Sequence, residues 1–185
     1  MRLFAAVVPP DAALGELSAA VGTPPGTDGL RWTERSAWHL TLAFYGDVPD
    51  DTVPELTRRL ARAAARTAPF ALALRGGGHF GGRTLWTGVT GDVTALRRLA
   101  ARAEAPGRKS GLPGEHRHYR PHLTLARSRT PRDLGPYVTA LDAFAGGTWT
   151  VPELTLVRSR LPGSGVPGER PRYDKVDGWR LSGPG

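Results

Sequence analysis

At 185 residues and 39% hydrophobic content, the chain can bury one sizeable core but is short for two, and it reads as a single domain over residues 1–185. No apolar run approaches the roughly 20 residues of a membrane span, and the absence of cysteine excludes disulfides, thiolate nucleophiles and cysteine-based zinc sites. A net charge of +8, carried by 23 arginines and two lysines, favours polyanionic partners, nucleic acid first, although a coding bias towards arginine, alanine, glycine and proline produces the same surplus.

In chain order, residues 2–8 are a predicted strand. Pro9-Pro10 ends its apolar run before it reaches the roughly 7–15 residues of a secretory signal. Pro10-Asp11 opens a helix to Ala20, with Leu14, Leu17 and Val21 at helical spacing. After a Pro/Gly loop over 21–29, Leu30 to Thr33 form a short strand. Pro49 to Ala65 is a helix with Val53, Leu56, Leu60 and Ala63 as its apolar stripe; Arg58, Arg59, Arg62 and Arg66 lie mostly outside it. Phe70–Leu74 is a strand, Gly76–Gly82 a loop, and Thr84–Val89 another strand. Val93–Ala103 is a helix, and Pro106–His118 a long basic loop. A short helix over 132–141, a strand over 148–157, a loop over 163–168 and one or two strands over 171–181 complete the chain. This alternation gives an α+β class, with related elements around two centres in one domain.

Those centres are a repeated pentapeptide. His39-Leu40-Thr41-Leu42-Ala43 recurs, letter for letter, as His122-Leu123-Thr124-Leu125-Ala126, in a chain holding only five histidines. Side chains alternate along a strand, so each copy presents its histidine and threonine on one face and its leucines on the other. Strand parity puts Phe44 with the leucines, Tyr45 with His39, and Arg120 with His122; Arg127 must reach in from the strand end. Imidazoles titrate near neutrality, so one can remove a proton while the other supplies one. A threonine hydroxyl on the same face is a short, stiff donor to an anion. Two such donors with an arginine would hold a phosphate and stabilise charge building on it. Hydrolysis of a strained cyclic phosphodiester fits this set without a metal. Which histidine is acid and which is base stays open, because a pseudo-symmetric pair reads the same both ways.

The sequence resembles the 2H phosphoesterase superfamily, named for two His-x-Thr/Ser-x motifs, and most closely the bacterial and archaeal RNA 2′,3′-cyclic phosphodiesterases also called 2′-5′ RNA ligases. The resemblance runs through Arg2-Leu3-Phe4-Ala5-Ala6, Leu30-Arg31-Trp32, Trp38 to Phe44 with Gly46, Leu85-Trp86-Thr87-Gly88-Val89, Arg120 to Arg127, Ser159-Arg160-Leu161 and Tyr173. It implies a bilobal α+β fold, with two lobes related by a pseudo-twofold and mainly antiparallel sheets lining a central cleft. It also implies hydrolysis of RNA 2′,3′-cyclic phosphate ends, or of a small cyclic phosphate nucleotide, to 2′-phosphomonoesters, with weak 2′-5′ ligation. In that scheme His39 is the proton donor, His122 the acceptor that activates water, and Thr41, Thr124 and Arg127 bind the phosphate. No cofactor or metal, a cytoplasmic location and a monomer are expected. Two alternatives remain: the same chemistry on an ADP-ribose cyclic phosphate or a 2′-5′ oligonucleotide, and a non-catalytic RNA-binding module.

Weaker candidates flank the motifs. Arg120, Tyr45, Phe4 and Trp86 could contact substrate, though each aromatic fits packing as well. His116, His118 and His122 have a spacing that suggests a metal, but no carboxylate completes a ligand set. Gly76-Gly77-Gly78-His79-Phe80-Gly81 matches G-x-G-x-x-G without the helix or the lysine of a phosphate loop.

Overall fold

In a computed structural model that describes all residues except 25, 27, 115–117, 164, 166 and 167, the elements run β1 (Arg2–Val7), α1 (Asp11–Val21), β2 (Arg31–Trp32), β3 (Leu40–Asp47), α2 (Val53–Ala65), β4 (Phe70–Phe80), β5 (Thr84–Gly91), α3 (Val93–Lys109), β6 (Leu123–Arg127), α4 (Gly135–Leu141), β7 (Trp149–Val151), β8 (Glu153–Arg160) and β9 (Arg172–Arg180). Among the described residues the strands form one nine-stranded sheet in the order β7-β4-β5-β6-β3-β1-β8-β9, with β2 on β6. The expected α+β class and antiparallel pairing hold. The two lobes are halves of this sheet, β3-β1-β8-β9 and β6-β5-β4-β7, and β3 meets β6 through a single register pair, Leu40 opposite Leu123. The pseudo-twofold therefore passes between equivalent residues of the two repeats.

The buried faces carry the leucines of the pattern. Leu40, Leu123, Leu125, Leu56, Leu60, Leu96 and Leu99 are fully buried in one core cluster. α2 and α3 pack together, with α3 across β3, while α1 and α4 lie against β4. The opposite face of the sheet carries the histidines and threonines.

Each repeat contains a β-bulge that overrides simple alternation. Along β1 and β3 the register steps from Ala6 opposite Thr41 to Ala5 opposite Ala43. Along β5 and β6 it steps from Trp86 opposite Thr124 to Leu85 opposite Ala126. The extra residue puts Leu42 with Ala43, and Leu125 with Ala126, side by side in the core and reverses parity beyond. Phe44 and Arg127 thereby turn to the histidine face, and Tyr45 turns into the core.

Other sequence expectations are corrected by packing. Gly76–Gly78 belong to β4 rather than to a loop. Gly76 sits at a register shift with φ +62° and accepts a 2.7 Å hydrogen bond from Thr87 Oγ1, while the turn falls at Gly81 and Gly82, both with positive φ. α3 continues past Ala103 through Pro106 to Lys109. Pro106 removes the backbone hydrogen bond to the Arg102 carbonyl, and it is burial of Pro106 and Gly107 that offsets this loss. The strand expected over 148–157 is two strands broken at Pro152, where the chain leaves β4 for β1 in the other lobe. α2 starts at Val53 rather than Pro49. Part of the loop over 163–168 lies outside the described residues.

Because the Leu40–Leu123 pair joins the two half-sheets, Leu40→Ala or Leu123→Ala should lower unfolding free energy by about 2–5 kcal/mol in urea denaturation. A loss under about 1 kcal/mol would show that the junction is held elsewhere.

Candidate active site

The site follows from the Leu40–Leu123 pair. Carrying that antiparallel register one residue each way sets His39 opposite Thr124 and Thr41 opposite His122. Strands lie about 5 Å apart and two residues span about 7 Å, so the four side chains leave the sheet from the corners of a small rectangle. The histidines occupy one diagonal, their Cα atoms on the order of 8 Å apart, and the threonines the other. Any anion seated over this rectangle has an imidazole on each of two opposite sides and a hydroxyl on each of the others.

Both rings are held alike. His39 Nδ1 lies 2.8 Å from the Ala37 carbonyl, and His122 Nδ1 lies 2.6 Å from that of Arg120. A carbonyl only accepts, so in each case Nδ1–H donates and Nε2 is left for the cleft. Aromatic rings fix the planes. Phe4 lies 4.7 Å from His39 at 31° and Tyr173 meets its edge at 5.3 Å. Phe80 meets the edge of His122 at 4.9 Å, with Trp86 at 6.3 Å.

Burial lowers the pKa of both histidines. It pushes His39 down to about 4, with Arg127 and His122 adding repulsion of the charged form and the Ala37 carbonyl opposing. For His122 the direction is also downward, from burial first and then Arg127, against the Arg120 carbonyl. The Arg127 guanidinium therefore acts on both rings. In the free protein near neutral pH, both are bases with an unprotonated Nε2.

The remaining candidates divide. Arg120 is exposed, with its guanidinium carbon 5.7 Å from the Phe80 ring centroid, and with Gly78, His79, Phe80, Trp86 and Pro121 it lines a cavity of about 400 Å³. Trp86 is half-buried at this cavity, its indole lying across Gly78, where a Cβ would come within 2.3 Å of the ring. Tyr45 does not share the histidine face. Downstream of the bulge it is 2% exposed, donates a 2.7 Å hydrogen bond to the Ala103 carbonyl and packs against Gly107. Phe4 is on the right face but only 3% exposed, beneath His39, so it supports the ring rather than presenting a surface. Phe80 and Phe44 were not singled out by sequence; Phe80 hid in the glycine-rich stretch, and Phe44 on the assumed core face. His116 lies outside the described residues, among which no group of three or more His, Asp or Glu could hold a metal. No helix among them is long and apolar enough to cross a membrane.

A doubled antiparallel sheet with paired His/Thr strands at its centre is the architecture of a two-histidine phosphoesterase. The chain belongs to the 2′-5′ RNA ligase superfamily, whose family model matches residues 9–162. The RNA 2′,3′-cyclic phosphodiesterase of Thermus thermophilus is 31% identical over 99% of this chain and 91% of its own length. That of Geobacillus stearothermophilus is 32% identical over 82% of this chain, but the chain spans only 48% of that relative's length. Among solved structures, a Thermus thermophilus protein superposes with a TM-score of 0.79 at 28% identity, covering 99% of both chains. Escherichia coli LigT complexed with 3′-AMP gives 0.74 at 26%, covering 98% of this chain and 97% of its own.

The depressed histidines have a stability consequence. Between about pH 6.5 and 5 the unfolded chain binds protons that the folded chain refuses, so stability falls with falling pH. His39→Asn should make the decline in Tm from pH 7 to pH 5 shallower than in wild type, as read by calorimetry. Parallel slopes would contradict the neutral, half-buried state of His39.

Proposed function

We propose that this protein hydrolyses RNA 2′,3′-cyclic phosphate ends to 2′-phosphomonoesters without a metal, His39 and His122 acting as the acid/base pair. The observation that carries the reading is the diagonal pair of histidines, each with Nδ1 tied to a carbonyl and Nε2 turned to the cleft. The names of the relatives point the same way.

In this reaction the cyclic phosphate sits over the rectangle, its non-bridging oxygens accepting from Thr41 and Thr124 and facing Arg127. His122 Nε2 takes a proton from water as its oxygen bonds to phosphorus. The P–O3′ bond breaks, and His39 Nε2–H delivers a proton to the departing O3′. Tethered Nδ1–H groups mean that neither ring need turn between its two protonation states. Arg127 and the threonines stabilise the charge that builds on the phosphoryl oxygens. A 5′-hydroxyl in place of water would form a 2′-5′ linkage by the same path, giving the weak ligation that the resemblance implies. The cavity edged by Phe80, Trp86 and Arg120 takes the terminal nucleobase by stacking.

The assignment of His39 as donor follows the family resemblance, and burial adds a condition to it. With its pKa near 4, His39 carries a proton at neutral pH only after an anionic phosphate lies against it and raises that pKa.

Two measurements test the reading. On an oligonucleotide ending in 2′,3′-cyclic phosphate, with EDTA present, wild type should release 2′-phosphate ends, and His39→Ala or His122→Ala should each cost about 10²–10⁴ in kcat. Full activity in either variant, or no 2′-phosphate from wild type, ends the proposal. The pH profile is the second. Both free-protein pKa values lie below 6.5, so kcat/KM should peak on the acid side of that value and decline above it. The alkaline limb of kcat should lie at higher pH, because bound phosphate stabilises the charged donor. Coincident alkaline limbs above pH 7 would contradict this coupling.

A further inference from the structure

Beyond the four motif side chains, the histidine face carries a second row that is read from register alone. Phe80 is opposite Thr84, Thr84 opposite Arg127, and Arg127 opposite Arg31. Directly opposed residues of antiparallel strands share a face. The next pair on β2 and β6 is Trp32 with Ala126, and these pack into the core, so Arg31 and Arg127 both project to the cleft side. This row lies beside the one formed by Gly78, Trp86 and Thr124.

Arg31 and Arg127 are both exposed. Like charges directly opposite each other destabilise a sheet, and neither guanidinium has a carboxylate partner among the described residues. The acids flanking Arg31 in sequence are committed elsewhere. Asp28 accepts from Leu30 N at 3.0 Å, Trp32 Nε1 at 2.8 Å and Tyr137 Oη at 3.2 Å, and its carbonyl accepts from Arg132. Glu34 pairs with Arg170 at 2.9 Å. Two open cations are thus held side by side on paired strands next to the phosphate rectangle, an arrangement that an anion from outside the protein would relieve. Arg127 is the inner one, since it acts on both histidines. Arg31 lies one strand further out, about 5 Å away at the backbone, on the scale of a single nucleotide step.

Resting on the phosphodiesterase reading, we propose that Arg31 holds a second phosphate, the one 5′ to the terminal nucleotide, and so distinguishes an RNA end from a free cyclic nucleotide. The protein then prefers substrates carrying a 5′-phosphate on the cyclic nucleotide because a charge-assisted contact is made that the bare nucleoside cyclic phosphate cannot make.

The experiment compares kcat/KM for a nucleoside 2′,3′-cyclic phosphate with that for the same compound bearing a 5′-phosphate, in wild type, Arg31→Ala and Arg31→Gln. Calorimetric binding of the matching 2′-monophosphate and 2′,5′-bisphosphate reads the same contact without turnover. Wild type should favour the 5′-phosphorylated member of each pair by about ten- to a hundredfold, and both variants should bring that ratio close to one, with circular dichroism unchanged. A wild-type ratio near one, or a ratio that survives both substitutions, overturns the role of Arg31. The phosphodiesterase reading stands or falls on the oligonucleotide assay; if neither mononucleotide is hydrolysed, the bisphosphate preference in the binding arm decides by itself whether Arg31 is a phosphate site.

Discussion

The site depends on one contact, the antiparallel pairing of Leu40 with Leu123. That pair joins two half-sheets that otherwise have their own strands and helices. Both side chains are fully buried, so the hydrophobic effect holds the junction from the face opposite the cleft. Once it forms, antiparallel register leaves no freedom in how the repeats meet. Each histidine falls opposite the other copy's threonine, and the imidazoles lie on a diagonal. A register slip of one residue would send the histidines into the core and the leucines into water.

The pseudo-twofold makes the halves alike only near this junction. Five residues after each histidine the bulge turns a side chain to the cleft, and in one lobe it is Phe44, in the other Arg127. Phe44 stacks 6.4 Å from Phe4 and carries the Arg2 guanidinium 4.8 Å from its ring centroid, whereas the Arg127 charge acts on both imidazoles. The His39 side is therefore aromatic and closed, with Phe4 and Tyr173 against the ring, and the His122 side is cationic and opens onto the cavity beside Arg120 and Trp86. In the proposed hydrolysis this separates the roles. Packing against Phe4 and Tyr173 keeps the donor uncharged until phosphate arrives, and the open side admits water and the terminal nucleotide.

The centre of this arrangement was legible in the sequence because it is written twice. A duplicated His-Leu-Thr-Leu-Ala with strand parity already implies two His/Thr faces, and the apolar stripes of α1 and α2 and the strand at β5 follow from periodicity. The bulges were not legible. Each adds one residue without a glycine to mark it, and that one residue moves Tyr45 into the core and brings Arg127 onto the histidine face. Gly76–Gly78 read as a loop because glycine carries no strand signal. In the folded chain Gly78 makes room for the Trp86 indole, a cross-strand demand that no local pattern contains. The pairing of Arg31 with Arg127 was hidden for the same reason, since it exists only in the register of β2 on β6.

Both imidazoles are held as neutral Nδ1–H tautomers with Nε2 free, and bound phosphate is expected to charge one of them. Nitrogen-15 NMR of histidine-labelled protein tests this directly, before and after saturation with a nucleoside 2′-phosphate at neutral pH. Two neutral Nδ1–H rings are expected in the free protein, with one converted to imidazolium on binding. An Nε2–H tautomer at either position, or an imidazolium already present without phosphate, would contradict it.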